Sequence, residues 1–525
     1  MPVFCAIALP LQPFLGKIKQ NKDLKIKKVK KIVLSFIVFT MTSVSALAGG
    51  ILTNTNQNVL FLKNPARDAA IGIDGVYSNP AGVVFMPEGF HVSFNWQYAH
   101  QTRTITSTNP VFMLGKKNNG METKEFEGVA DAPFIPSLQG AYNTGNWSVQ
   151  FNLSVPGGGG SCEFADGLGS FESVVGNIAH QLQPLGAQGY DMDGYMKGRQ
   201  YYFGIQLGAA YKITNDFSVY GGLRMLYGDA TYKAKLSNIQ VKTEGGYVDF
   251  ANFLQGASTT VNNGLDQVNA GIAQYEAAGI PVPAELLTKQ AQLEGTKTSL
   301  TQLQKYAQGV NLLCNQTSVG IAPVIGVDYK TGSFNFAAKY EFKTQIRMKN
   351  ESTVNEASEI AAVNKYRDGE EVNEDVPALL TLGAQWSPID AVRINVGWHH
   401  YFDKQADWYN NNQDLLDHNS NEYLAGVEWD VNDKLNVSCG GQLTRYGLTD
   451  QYMNDMSFVV NSYSIGFGAN YKLSKVITLK GGFFQTEYET KDVYYTPAAT
   501  DLDQTTHNAF TRTNRVLGLG CEINL

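Results

Sequence analysis

The residues able to do chemistry fall into a few small groups. His399, His400 and Asp403 have the types and spacing of metal ligands. The pattern around them puts all three at the outer end of a strand, where solvated rim side chains are the simpler account. The run Gly157 to Gly160 is not followed by the Gly-Lys-Ser/Thr of a phosphate-binding loop. There is no GxSxG nucleophile turn, no HExxH zinc pair and no CxxC. Nothing pairs a nucleophile with a base, so neither an enzyme nor a cofactor is expected.

Other residues point to passage of a molecule instead. Arg224, Lys339, Arg393 and Lys480 fall on the side of their strands opposite the apolar face, as do Glu341, Glu428, Glu487 and Glu522. Such cations could receive a carboxylate ligand, or they could pair with the glutamates beside them. Ser148 to Val155 alternates cleanly and then meets Pro156, Gly157, Gly158, Gly159 and Gly160. Proline removes a ladder donor and glycine permits a sharp bend, so this segment is either a gap in a sheet or the start of a loop. Pro323 is a second, weaker break of the same kind. Asn79, Pro80, Ala81 and Gly82 stand in an irregular, Gly/Pro-rich stretch just before the first strand.

The elements that must carry these residues are strands. In Tyr201 to Ile213 the odd positions are apolar (Phe203, Ile205, Leu207) and the even ones small or polar (Gly204, Gln206, Gly208). Ser462 to Leu473 repeats the pattern with Tyr463, Ile465 and Phe467 against Ser464, Gly466 and Gly468. Period-two alternation of this kind recurs in about fourteen segments from residue 90 onward, without a second apolar layer to cover it. Tight links such as 143–146, 214–216, 331–333, 432–434 and 474–475 alternate with long ones such as 156–199 and 237–317. That rhythm predicts an all-β transmembrane antiparallel barrel over 90–525 with short turns at one end and long loops at the other. Tyr211, Tyr329, Trp386, Trp429 and Tyr471 lie on the apolar face near the short turns, the place of an interfacial aromatic girdle. Residues from about 245 to 317 are expected to form a helical insertion in an outer loop, with Leu286, Leu293 and Leu300 on one face, serving as a lid, as a capture surface or as surface decoration.

Composition agrees. Charged residues are 17% of the 525, and mean hydropathy is −0.21, too low for a bundle of membrane-spanning helices. Lys25 to Lys31, the apolar run Ile32–Thr40 and Ala46-Leu47-Ala48 read as an export signal over 1–48. Its lysine-rich n-region is long, as an over-extended start would make it. Removing 1–48 leaves 33 basic against 47 acidic residues, a balance of −14, which argues against a nucleic-acid partner. Cys162 and Cys314 fall in expected outer loops and either pair in an oxidising compartment or stay free. Cys439 and Cys521 have outward parity.

The order of a signal, a short N-terminal segment at 49–89, the stretch "YSNPAGVVFMPEGFHVSFN" and fourteen strands resembles the long-chain fatty acid outer-membrane transporter family (FadL/TodX). By that resemblance Asn79-Pro80-Ala81 matches the hatch motif, and 49–89 plugs the barrel. Hydrophobic small molecules, long-chain fatty acids among them, would be captured by outer loops and released sideways through a wall opening into outer-membrane lipid. The opening lies in the third strand of that family, where Pro156–Gly160 stands here. The amphipathic last strand, ending on Leu525, suits barrel-assembly machinery during biogenesis, and the expected location is the bacterial outer membrane. The competing reading is a surface-exposed barrel acting in adhesion, or as a structural protein, through its long loops.

Overall fold

A computed structural model of the chain describes residues 51–304, 306–307, 309–355, 365–495 and 506–525; the expected signal over 1–48 lies outside the described residues. The alternating segments form strands Gly89–Thr108 (β1), Thr123–Thr144 (β2), Trp147–Phe164 (β3), Gly189–Lys212 (β4), Phe217–Thr243 (β5) and Gly246–Asp249 (β6). Val310–Thr331 (β7), Phe334–Glu341 (β8), Arg347–Asn355 (β9), Glu371–Asn373 (β10), Leu379–Ile389 (β11) and Val392–Tyr401 (β12) follow. Ser420–Asp430 (β13), Leu435–Arg445 (β14), Ser462–Lys472 (β15), Ile477–Tyr488 (β16), Lys491–Tyr495 (β17) and Thr506–Asn524 (β18) complete the wall. All belong to one antiparallel sheet, and β1 closes on β18 from His91↔Asn524 to Thr108↔His507. Three staves are each made of two strands in succession (β8 with β9, β10 with β11, β16 with β17), and β6 is a short arm on β5. The wall is therefore a closed barrel of fourteen staves.

Alternation also decides what faces outward. Phe203, Leu207, Ile321, Ile465 and Phe467 are exposed on the outer surface, as are all five girdle rings. Trp147 packs on Tyr211 with centroids 4.7 Å apart, and Phe334 stacks on Trp386 at 6.1 Å. Among the described residues no helix is long and apolar enough to cross a membrane.

The strands run further outward than alternation predicts. β3 continues to Phe164 instead of stopping at 155, β4 begins at Gly189 and β7 at Val310. Above the greasy belt the outward positions are polar, so the apolar signal disappears while the ladder continues. On β1 they are threonines, and Thr102 bonds Thr513 across the ladder at 2.7 Å. Cys162 and Cys314 therefore sit on β3 and β7 rather than in loops, both buried and free.

The insertion is a hairpin of two helices, Phe250–Ala277 and Ala284–Gln304. Gly264 and Gly271 leave room for Leu293 and Leu286 to pack across it. Its base meets a third helix, Gly169–Gln181, where Val175 and Ile178 join Phe250, Leu254 and Leu303 in one buried cluster.

The interior has two zones. Toward the short turns it is polar and filled by residues 51–88. Above them an apolar cluster of Ile105, Phe126, Leu226, Met348 and Phe510, with buried Arg103 and Arg512 beside it, is closed over by Met453, Met456 and Phe458 from the loop after β14.

Candidate functional site

The N-terminal segment is held by side chains from around the wall. Its helix Val59–Lys63 is capped by Asn58, whose side chain accepts from the Leu60 N–H at 2.9 Å. It lies on inward glycines of β15, β16 and β18. At Gly466 any Cβ would collide with the Leu62 carbonyl, so this close approach requires glycine.

The Asn79-Pro80-Ala81-Gly82 motif is fastened to three strands. Asn79 Nδ2 donates to Asp328 on β7 at 2.6 Å, and its Oδ1 accepts the Gly82 N–H at 3.2 Å. The Pro80 carbonyl accepts from Gln150 on β3 at 2.7 Å, and the Ala81 carbonyl from Ser218 on β5 at 2.7 Å. A Cβ at Gly82 would strike the Asn79 amide.

Buried charges make a second set of ties, which the sequence reading missed. Arg67 bonds Asp74 at 2.7 Å and also meets Glu428 on β13. Burial alone would lower the guanidinium pKa, but these two carboxylates more than offset it and hold the charge. Asp68 meets His399 Nε2 at 2.9 Å, and His399 Nδ1 meets Glu422 at 2.9 Å. The solvated-rim account of this group therefore fails for His399 and Asp403, both of which are buried. His399 has inward parity on β12, where the segment filling the bore keeps it dry, and Asp403 begins a helical turn just beyond the strand. Burial pushes the Asp403 carboxyl up to about 7, partly offset by Ser420, whose N–H it accepts at 3.1 Å. Among the described residues no cluster fits a metal ion. The legible signal was the conjunction of Arg67, Asp68 and Asp74 before the first strand with inward-facing charge on the wall.

The four inward cations all have protein partners. Arg224 and Lys339 share Glu341 at 2.5 and 2.6 Å. Arg393 pairs with Asp430 at 2.7 Å and Glu428 at 3.3 Å, and Lys480 with Glu522 at 2.5 Å. Lys339 also donates to the Tyr77 carbonyl at 2.8 Å. A ligand carboxylate would have to displace a glutamate or aspartate to bind there.

The wall is interrupted at Pro156–Gly160. The β2–β3 ladder runs from Thr144↔Trp147 to Leu138↔Leu153 and resumes only at Val129↔Glu163. Pro133 and Pro136 lie on the β2 side of this gap and Pro156 on the β3 side, each without a backbone N–H to give to a ladder. Gly158 takes φ +94°, and a Cβ there would lie 2.5 Å from the Gln200 carbonyl. The bent strand turns inward onto the N-terminal segment: Asn54 N–H donates to Pro156 O at 2.9 Å and Val155 N–H to Gln57 Oε1 at 3.0 Å. Beside the break lies a small cleft lined by Ala99, Ala130, Ala132, Ile135, Val155 and Tyr201. Pro323 marks a second, tighter interruption. β7 pairs with β9 up to Thr317↔Lys349 and with β8 from Val324↔Glu341, and the intervening 342–346 folds over Gly320.

A closed fourteen-stave wall, a segment bolted across its bore and a break against β3 can be compared with solved barrels. A FadL homologue from Pseudomonas aeruginosa superposes with a TM-score of 0.58 at 10% identity, covering 91% of this chain and all of that one. This is the FadL-type fold. A TodX mutant described as a monoaromatic hydrocarbon channel gives 0.54 at 12% identity over 90% of this chain and all of its own. The toluene transporter TodX of P. putida gives 0.50 at 13% identity, covering 86% of this chain and 94% of that one. No protein-family model and no curated protein matches the sequence. The likeness of this FadL-type barrel to its neighbours thus resides in topology, with few residues held in common.

Proposed function

We propose that the protein is a passive outer-membrane channel for hydrophobic compounds, long-chain fatty acids or hydrocarbons among them, which leave sideways through the wall at Pro156–Gly160. The observation that carries this reading is the two-zone bore: a large apolar cluster above, a bonded segment filling it below, and a broken β2–β3 ladder beside that segment. A hydrophilic pore has no use for an apolar bore. Cargo that gains about 0.8 kcal/mol per methylene on leaving water is better delivered to lipid than to the far aqueous side.

Capture would begin outside, at a small apolar cleft between the Gly169–Gln181 helix and the base of the hairpin, lined by Val174, Ile178, Leu236, Phe250 and Val310. The cargo would then move through the apolar upper bore. Release requires the contacts of Asn54 and Gln57 with the bent strand to loosen, which couples the plug to the opening. The solved barrels described as toluene and hydrocarbon transporters support the cargo class.

The test is uptake of radiolabelled oleate and toluene by cells carrying variants at equal barrel expression. Deleting 51–88, or replacing Pro156–Gly160 with an alternating strand sequence that restores the ladder, is expected to reduce uptake at least tenfold. Unchanged uptake in both variants would reject the mechanism. Adhesion through the loops would instead be lost on replacing 250–304 with a short turn while uptake persisted.

A further inference from the structure

We propose that the outer surface of β4 and β5 is a docking site for the phosphate groups of an outer-leaflet glycolipid, resting on the reading of the barrel as membrane-spanning. On β4 the outward residues above Tyr201 are Arg199, Lys197 and Tyr195; on β5, above Asp229, they are Thr231, Lys233 and Lys235. Cross-strand register puts Tyr201 opposite Asp229, Arg199 opposite Thr231, Lys197 opposite Lys233 and Tyr195 opposite Lys235.

Two ammonium groups directly opposite one another on the same face repel, and an antiparallel pair is destabilised by such a contact unless an anion sits between them. The protein supplies only part of that anion. Glu163 bonds Lys197 at 2.8 Å from the β3 side, and Asp229 bonds Arg199 at 2.7 Å. Lys233 and Lys235 are exposed and make no ion pair among the described residues. Their β7 neighbours are Leu313 and Asn311, which carry no charge. Higher up, Asp193 is already held by Lys117 at 2.5 Å. The patch therefore carries four cations against two carboxylates, on a mature chain whose net charge is strongly negative.

Its height fits lipid phosphate. Tyr211 stands in the girdle at the short-turn end, and Tyr201 is ten residues further out on the same outward face. At about 3.3 Å per residue on a strand tilted by about 40°, that is roughly 25 Å, the height of a barrel's apolar belt. Tyr227 and Phe203, cross-strand partners just below, complete the upper edge of the belt. The cationic rows thus begin where hydrocarbon ends and occupy the next 5 to 15 Å or so, where lipid headgroups lie. A greasy belt under unpaired lysines is the complement of an acylated, phosphorylated amphiphile. Other faces at this height differ: β1 offers Thr102 and Thr104, β2 offers Glu125 and Glu127, and Lys349 on β9 faces Glu371 on β10.

The test uses the mature barrel purified in mild detergent and titrated with diphosphoryl lipid A, its dephosphorylated form and inorganic phosphate, followed by native mass spectrometry. The expected result is saturable binding of the diphosphoryl lipid alone, weakened about 30-fold in Lys233→Gln/Lys235→Gln and unchanged in Lys349→Gln. Folding is checked by heat-modifiable migration. Wild-type affinity in the folded double variant, equal binding of the dephosphorylated lipid, or comparable binding of inorganic phosphate would each overturn the proposal. Oleate uptake by the same variants is expected to stay at the wild-type level. Failure of the lipid site and failure of the transport reading are thereby distinguished.

Discussion

At the scale of single residues, the plug is held by hydrogen bonds whose loss leaves charged groups stranded. Asn79 is the clearest instance, because its amide serves Asp328 while its oxygen caps the turn at Gly82. Replacing it by alanine leaves Asp328 with Asn335 at 2.9 Å as its remaining side-chain donor. A buried hydrogen bond to a charged group contributes about 1.5–3 kcal/mol. Asn79→Ala is therefore expected to speed amide hydrogen exchange over 70–88 by tenfold or more without unfolding the wall. Asn79→Asp, equal in size, should be worse, because it sets a second carboxylate against Asp328. Wild-type exchange in both variants would show that the motif does not anchor the segment.

At the scale of elements, the deciding fit is between the helix Val59–Lys63 and the glycine floor beneath it. Overpacking at such a contact costs about 1–3 kcal/mol, and here it falls on the element most free to move, the plug rather than the closed ladder. Gly466→Val is expected to displace the helix, raising protease cleavage within 51–88 while the heat-modifiable barrel band remains. Cleavage at the wild-type rate would mean that the helix does not rest on β15. The bent part of β3 obeys the same logic from the other direction. Its backbone groups, lacking partners on β2, turn to Asn54 and Gln57, so the wall break and the plug are one bonded unit.

At the scale of the whole molecule, fourteen staves enclose a bore wider than side chains alone can fill, and residues 51–88 occupy it. Liposomes carrying the intact barrel are expected to admit almost no small sugar in a swelling assay, and a 51–88 deletion to admit it faster, to the extent that the cluster above it leaves a path. Free sugar passage through the intact barrel would contradict the sealed bore.

The wall itself was legible in the sequence because a barrel strand reports its two faces locally. Each residue's parity fixes whether it meets lipid or lumen, so Tyr211, Trp386 and Ile465 could be assigned outward, and Arg224 and Lys480 inward, from spacing alone. Pro156–Gly160 was legible as a disruption of that spacing. What the disruption faces was not: Pro133 and Pro136 lie some twenty residues earlier, and only the ladder register sets them opposite one another. Likewise His399 read as a solvated rim residue until Asp68, 331 positions away, came to lie against it. Short-range alternation follows from backbone geometry and can be read along the chain. Contacts between plug and wall arise only when the barrel closes around a segment far away in sequence, so the tertiary structure alone decides which polar groups are buried, which are paired and where the wall gives way.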